Sequence, residues 1–275
     1  MAADTIKVLV VDDTILYRKV VADILASIPD VCVVGTAADG RIATWRIENL
    51  RPDLVILDVE MPHLDGLQVL QFIRQKGLPT SAIMLSSLTQ AGSRQTIEAL
   101  ELGAFDFIPK PQTSSFEQSR QAIQRDLTRA IEAFIRHRAL RQATDRTAQV
   151  VTPGQAMPSA TVVKPRPPFQ RTSTMVLIGV STGGPSALKY LLPRLPGELG
   201  VPILLVQHMP PVFTRSLAAS LDGQCELTVM EAQDGQPVEP NQVFVAPGGK
   251  QMGIRLGSKD GPYLIAITDD PPENG

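Results

Sequence analysis

Five short apolar runs divide the first part of the chain, and helix-length amphipathic segments separate them. The runs are continuous rather than alternating, which is typical of parallel strands buried on both faces of a sheet. The predicted strands are Val8–Val11, Val31–Val34, Leu54–Leu57, Ala82–Leu85 and Phe105–Ile108. The predicted helices are Ile15–Ser27, Gly40–Leu50, Gly66–Gln75, Gly92–Leu102 and a last one from about Ser115 to Arg141. This alternation predicts a doubly wound α/β sheet that binds ligands at the carboxyl ends of its strands.

A second α/β pattern begins at Met175. The predicted elements are a strand Met175–Val180, a helix from Gly184, a strand Ile203–Val206, a helix Val212–Leu221, and strands near Leu227, Val243 and Leu264. Because 275 residues is long for a single core, two domains are expected.

The stretch between the two patterns has a different composition. Residues 143–174 contain five prolines and many Ser, Thr and Gln residues. Such a segment buries too little apolar surface to order itself, so it is predicted to be a linker. The expected division is a first domain over residues 1–125, a helix end and linker over 126–174, and a second domain over 175–275.

The bulk composition narrows the class of protein. A net charge of −2 gives no general attraction to nucleic acid or to acidic lipid. The two cysteines, Cys32 and Cys225, form neither a disulfide framework nor a metal-binding spacing. The start of the chain lacks a signal peptide, and no apolar run approaches the ~20 residues of a membrane span. We therefore expect a cytoplasmic protein that neither inserts in a membrane nor binds nucleic acid.

Acidic residues stand at the ends of two predicted strands. Asp12 and Asp13 follow the first strand, and Asp58 follows the third. Crowded carboxylates favour a hard divalent cation such as Mg²⁺, and an Asp beside that cation can accept a phosphoryl group. Lys110 could offset charge on the transferring group, and Ser86 could donate to a phosphoryl oxygen. Each acid alone could equally be a helix cap or a turn former, but the whole set favours a phosphate-accepting site.

A serine and a histidine follow neighbouring strands of the second pattern. The segment Gly179-Val180-Ser181-Thr182-Gly183 fits G-x-S-x-G between a strand and a helix, the setting of an exposed nucleophile. His208 closes the next strand, and adjacent strand ends lie roughly 5 Å apart, so the two side chains can touch. His208 could then act as the base for Ser181. Two other interpretations remain open, namely a phosphate-cradling glycine loop and a half-buried structural histidine.

Residues 6 to about 125 resemble the receiver domain of two-component response regulators. The resemblance implies a flavodoxin-like, five-stranded fold and phosphorylation of Asp58 by a histidine kinase. It also implies that Asp13, Asp58 and the backbone carbonyl of Glu60 hold Mg²⁺, with Asp12 nearby. Ser86 and Phe107 match the switch hydroxyl and the switch aromatic, although Phe107 could equally be a plain core residue.

Residues 175–275 resemble the effector half of the chemotaxis response-regulator methylesterase. Four stretches carry this resemblance: Val180–Gly184, Gln207–Arg215, Glu231–Gly235 and Val245–Gly249. It implies that Ser181 is the nucleophile, that His208 is the general base and that Thr182 is a neighbour in the site. It further implies hydrolysis of glutamate methyl esters on methyl-accepting chemoreceptors, deamidation of receptor glutamines, and no cofactor for the esterase.

One part of the family pattern has no match in this sequence. In the family, the triad Asp and an oxyanion-side Met lie in a glycine-rich motif beyond the position of Pro271-Pro272. We therefore expect an incomplete esterase domain, a fragment or truncated product that could itself be inactive. None of the remaining acids is assigned the role: Asp222, Asp234, Asp260, Asp269 and Asp270. The alternative is a phosphate-gated scaffold with an inactive esterase half. A DNA-binding output would need a basic helix-turn-helix unit, which the strand-rich second pattern does not resemble.

Overall fold

The computed structural model describes residues 5–111, 115–149, 174–258 and 261–271, with side chains described to residue 140 in the long central helix. The N-terminal part holds a parallel sheet in the order β2-β1-β3-β4-β5. The strands are β1 Ile6–Val11, β2 Val31–Ala37, β3 Leu54–Asp58, β4 Ser81–Ser86 and β5 Asp106–Pro109. The helices between them are α1 Ile15–Ala26, α2 Gly40–Leu50, α3 Gly66–Gln75 and α4 Gln90–Glu101. This arrangement confirms the doubly wound, flavodoxin-like α/β fold.

The central helix α5 is longer than expected. It spans Phe116–Gln149, whereas the sequence predicted an end near Arg141 and a linker from Ala143. Residues 141–149 contain neither Gly nor Pro, and their Ala, Arg and Gln residues favour a helix, so nothing stops it there. The rest of the predicted linker, residues 150–173, lies outside the described residues.

The C-terminal part holds a second parallel sheet, in the order β6-β7-β9-β8, and an antiparallel hairpin of β10 and β11. Its elements are β6 Val176–Val180, α6 Gly184–Leu191, a 3₁₀ turn Leu192–Arg194, β7 Ile203–Gln207, α7 Pro211–Asp222, β8 Thr228–Glu231, β9 Gln242–Val245, β10 Gln251–Leu256 and β11 Tyr263–Thr268. The sequence did not predict β10, because its glycine and its polar residues mask the strand pattern. One face of this sheet is covered in part by the hairpin, where Leu204 packs with Ile265, and is exposed at Leu177 of β6 (71%) and Val206 of β7 (48%).

The two parts pack against each other through one continuous apolar cluster. Helix α4 lies against α7, and the N-terminal end of α6 lies against β5. The cluster runs from the α2–α4 side of the first sheet, through Phe107 and Phe213, to the helices of the second sheet. Helices of the described ranges include none that is long and apolar enough to cross a lipid bilayer.

Candidate functional sites

The first candidate site is a cluster of three carboxylates at the carboxyl edge of the first sheet. Carboxylate oxygens of Asp12, Asp13 and Asp58 all lie within 4.8 Å of one another. Asp12 and Asp58 are buried, whereas Asp13 is exposed. Because β1 and β3 are parallel neighbours in the sheet, their carboxyl ends bring these acids together. The expected gathering of the three acids is therefore present.

Lys110 joins this cluster. Its Nζ lies 2.6 Å from Oδ2 of Asp58 and 2.9 Å from Oδ2 of Asp12. Burial raises the pKa of Asp58 to about 6, although Lys110 and the Glu60 N–H act against that rise. Burial would lower the pKa of Lys110, but the carboxylates of Asp58 and Asp12 outweigh it and the net pKa is raised. The site thus combines two buried acids with one close cation.

The helix-capping role that acids can play falls to other residues. Asp39 accepts the N–H of Ile42 at the start of α2, and Asp65 forms a capping box with Gln68 at the start of α3. Asp58 accepts only a long 3.3 Å bond from the Glu60 N–H among backbone donors. Capping therefore does not account for the burial of Asp58.

The predicted switch residues adjoin this site but face away from it. The Ser86 hydroxyl accepts a 2.6 Å hydrogen bond from Thr96 of α4 and donates toward the Gly92 carbonyl, 3.3 Å away. Phe107 is half-buried, and its ring centroid lies 4.5 Å from that of Phe213 in α7. Ser86 and Phe107 thus connect the first sheet to α4 and to the second domain, and their switch roles stay predictions.

The second candidate site is the pair Ser181 and His208. The Ser181 Oγ lies 3.4 Å from Nδ1 of His208. Strands β6 and β7 are parallel neighbours, and the His208 N–H donates to the Val180 carbonyl at 3.0 Å, which extends their pairing by one residue. The expected contact between these two side chains is present, and their catalytic roles stay predictions.

A buried glutamine holds the ends of β6 and β7 together. The Gln207 Nε2 donates to the carbonyl of Ser181 at 3.0 Å and to that of His208 at 3.2 Å. Its Oε1 faces Gly184 so closely that a Cβ at residue 184 would overlap it. In the sequence, Gln207 belongs to a stretch that resembles the family, but no role was predicted for it. In the structure it supports both candidate catalytic residues.

The turn after Ser181 leads directly into α6, and the Gly184 N–H donates back to the Ser181 carbonyl at 2.8 Å. Gly183 precedes the helix with a φ of 74°, a conformation that glycine adopts without strain. The N-terminal end of a helix carries partial positive charge, so the turn can stabilise an anion. Thr182 lies within this turn and lines the same cleft as Ser181.

A cleft of about 730 Å³ contains Ser181 and His208, and both domains line it. The first domain contributes residues of β5 and the exposed Arg125 and Arg129 of α5. The second contributes the loop Ala246–Gln251 and Asp270. The candidate esterase site is therefore partly walled by the domain that carries Asp58.

The hydrogen bonds that join the two domains beside this cleft were not predicted from the sequence. The buried Asp106 of β5 accepts a 2.8 Å hydrogen bond from the Gly183 N–H. Ser186 donates to the Phe105 carbonyl at 3.0 Å, and Lys189 donates to the Glu101 carbonyl at 2.6 Å. The only sequence signal was an acid within an otherwise apolar run.

The acids left unassigned in the second domain have other partners. Asp222 accepts the Val229 N–H, Asp234 accepts the Ile267 N–H, and Asp269 pairs with Lys250. Asp270 accepts from Thr268, and Asp260 lies outside the described residues. Within the described ranges, the one side chain recorded in a hydrogen bond with the His208 ring is Ser181.

Comparison with known proteins identifies both halves of the chain. The response regulator receiver domain family matches residues 8–124, and the CheB methylesterase family matches residues 176–274. The protein-glutamate methylesterase/protein-glutamine glutaminase of Desulfotalea psychrophila is 45% identical over 275 residues, covering 98% of this chain and 74% of that protein. Proteins of the same name from a Nocardioides species and from Thermotoga maritima are 41% and 42% identical, covering 98% and 93% of this chain and 72% and 70% of their own lengths. The chain belongs to the protein-glutamate methylesterase family, hydrolases that here join a receiver domain to a CheB methylesterase domain.

Proposed function

We propose that this protein is a phosphorylation-regulated methylesterase that removes methyl groups from glutamate side chains of chemoreceptors and also deamidates receptor glutamines. The observation that carries the proposal is the 3.4 Å approach of the Ser181 hydroxyl to the His208 ring in a cleft partly walled by the receiver. The names of the relatives support the choice of substrate, a carboxyl derivative of a protein side chain.

The chemistry proceeds in two steps. His208 accepts the Ser181 proton while Oγ attacks the ester carbonyl, and the same proton then passes to the departing methoxide as methanol. Water, deprotonated by His208, next hydrolyses the Ser181 acyl ester and releases the glutamate carboxylate. N–H groups at the start of α6 stabilise the negative charge on the carbonyl oxygen in both steps. With a glutamine substrate, ammonia leaves in place of methanol.

The receiver site takes a phosphoryl group from a histidine kinase onto Asp58. The residues present suit Mg²⁺, because carboxylate oxygens of three acids lie within 4.8 Å of one another, and hard oxygen ligands are those that Mg²⁺ prefers. Asp13, Asp58 and the backbone carbonyl of Glu60 would hold the ion, with Asp12 nearby. The bound ion would offset negative charge on one oxygen of the transferring phosphoryl group, and Lys110 would offset the charge on another.

Phosphorylation acts on the contact between the two domains. Ser86 redirects its O–H from the Gly92 carbonyl to a phosphoryl oxygen, and Phe107 leaves its place beside Phe213. Both changes alter the side of the receiver that lies against α6 and α7. In the resting state this side limits access to Ser181, and in the phosphorylated state the contact loosens.

The test is methanol release from a methylated receptor fragment by the intact protein, with and without Mg²⁺ and a small-molecule phosphodonor. Ser181→Ala and His208→Gln should each abolish release, and Asp58→Asn should abolish the response to phosphodonor. Thr44→Ala, at a half-buried position of α2 outside both sites, is the matched control and should behave as wild type. Labelling by a fluorophosphonate probe, lost only in Ser181→Ala, identifies the nucleophile. Absence of both labelling and release from the wild-type protein would refute the enzyme and favour the phosphate-gated scaffold.

A further inference from the structure

A carboxylate of the receiver is bound to an amide of the nucleophile turn. Asp106 is 6% exposed, and its Oδ2 accepts the Gly183 N–H at 2.8 Å. Its Oδ1 accepts the N–H of Phe107 at 2.9 Å, so both carboxylate oxygens are used. Gly183 stands two positions after Ser181, at the start of α6. A negative group from one domain thus sits next to the nucleophile of the other.

Two further contacts seat α6 on the same loop of the receiver. Ser186 donates to the carbonyl of Phe105, and Lys189 donates to that of Glu101. Positions 183, 186 and 189 are spaced by three residues, so they share one side of the helix. The whole N-terminal half of α6 is therefore held by the segment from the end of α4 to β5.

The Asp106 carboxylate is bound at the start of α6, which is the positive end of that helix. Its N–H groups carry partial positive charge, and the developing oxyanion of an acyl-transfer reaction needs such donors. A carboxylate already bound there satisfies the Gly183 N–H and adds negative charge to the turn that carries Ser181. It therefore opposes the build-up of negative charge in the transition state, even when the cleft is wide enough to admit substrate.

The contact is also poised to break. Burial raises the pKa of Asp106 to about 6, and only the N–H groups of Gly183 and Phe107 act against that rise. Among the described residues no Lys or Arg side chain pairs with Asp106, and a buried charge of this kind is costly, so a small rearrangement of β5 can expel it. Phe107, the predicted switch aromatic, is the next residue of the same strand.

We propose that Asp106 acts as an internal substitute for the substrate oxyanion, occupying the Gly183 amide in the resting protein and leaving it when the receiver is phosphorylated. This inference rests on the proposed function, and it adds a chemical block to the limited access of the cleft. Movement of β5 withdraws the carboxylate, which frees the Gly183 N–H and removes a negative charge from the start of α6.

Substitutions of Asp106 give the direct test. Asp106→Ala removes both acceptors. Asp106→Asn keeps one acceptor and turns an NH₂ group toward the other N–H. Both should raise methanol release without phosphodonor by about fivefold or more, the lower range of typical allosteric couplings, and shrink the stimulation by phosphodonor to match. Asp23→Asn, which neutralises an exposed acid of α1 outside the cleft, is the control and should leave both unchanged.

Hydrogen exchange provides a readout that does not depend on catalysis. Backbone amides of residues 181–186 should exchange faster in Asp106→Ala than in wild type, and at the wild-type rate in Asp23→Asn. Ser186→Ala, made in the opposite domain, should act in the same direction and to a smaller extent. It keeps the test informative if Asp106→Ala folds poorly.

The outcomes separate the two proposals. If exchange and basal release are both unchanged in folded Asp106→Ala and Ser186→Ala, or if basal release falls, Asp106 is not an inhibitor. If wild-type protein releases no methanol but exchange responds as expected, the contact is real and the proposed enzyme function fails.

Discussion

The ring of Phe107 on β5 packs against the ring of Phe213 on α7, with centroids 4.5 Å apart and planes inclined by 41°. Phe213 is fully buried, and Phe107 is half-buried. The pair joins the apolar core of the receiver to that of the esterase domain. Because Phe107 follows Asp106 in the strand, one four-residue element carries this ring contact and the hydrogen bond from Gly183 to Asp106.

A double-mutant cycle should detect this ring pair. Phe107→Leu and Phe213→Leu are each expected to lower the free energy of unfolding. The double variant should lower it by less than the sum of the two single effects. Offset and tilted aromatic pairs contribute about 0.5–1.5 kcal/mol beyond their buried area, which sets the expected coupling. The free energy of unfolding from urea titrations measures it. Strict additivity would mean that the rings touch without stabilising the interface.

A side chain at residue 184 should separate the two candidate catalytic residues. The Cβ of Gly184→Ala would overlap Oε1 of Gln207, whose Nε2 holds the carbonyls of Ser181 and His208. Overpacking of this kind costs about 1–3 kcal/mol of stability. Fluorophosphonate labelling of Ser181 should slow as well.

The matched control is Gly179→Ala on the preceding strand. Its Cβ would meet no atom within 4 Å, so stability and labelling should stay close to wild type. Equal behaviour of the two variants would show that the contact with Gln207 is not limiting.

The stability of the protein should depend on pH through Asp106. Its pKa is about 6 in the folded protein and near its ordinary 3.8 when unfolded, so the folded state binds the extra proton between these values. The resulting stabilisation is complete below pH 3.8 and is lost as pH rises through 6. It amounts to at most about 3 kcal/mol, by the conversion of a pKa difference of two units into free energy.

Urea unfolding of wild type and Asp106→Asn at several pH values between 4.5 and 7.5 measures this effect. The variant should lack part of the decline seen in wild type, whereas Asp126→Asn should retain it. A decline of the same size in all three proteins would assign it to other groups.

Removal of Lys110 should make the receiver more dependent on Mg²⁺. Lys110→Met leaves Asp12 and Asp58 buried without their cation, and breaking a buried pair costs about 3 kcal/mol or more. In chelator the melting temperature should fall, and added Mg²⁺ should recover more of it than it adds to wild type.

The control for Lys110 is Lys76→Met, which breaks the exposed pair with Glu48. Its effect should be no more than about 1 kcal/mol, with or without Mg²⁺. If added Mg²⁺ changes the melting temperature of neither wild type nor Lys110→Met, the acidic cluster is not a magnesium site.

Much of the fold and the clustering of the candidate residues could be predicted from the sequence, because buried parallel strands appear as short continuous apolar runs. Each apolar run became a strand, and the polar residue at its end reached the carboxyl edge of the sheet. Asp12 and Asp58 meet for this reason, and so do Ser181 and His208. Sheet order and strand direction, which short crossovers fix, are enough to bring these residues together.

Contacts between the domains could not be predicted in this way. The bond between Asp106 and Gly183 joins residues 77 positions apart in different domains, and no local periodicity records it. The support from Gln207 depends on a side-chain rotamer, and the extension of α5 to Gln149 depends on weak helix preferences over a polar stretch. These features depend on packing between elements, which the pattern of a single strand or helix does not contain.

Strand β5 is the last in the sheet order β2-β1-β3-β4-β5, so it has a strand partner on one side only. In the resting protein, α6 lies against that border, and Ser186 donates to the carbonyl of Phe105 just before it. Separation of the domains would leave unpaired main-chain groups facing water, ready to pair with another polypeptide. If activation separates the domains as proposed, it exposes this edge to self-association, and the closed arrangement would protect the protein against aggregation.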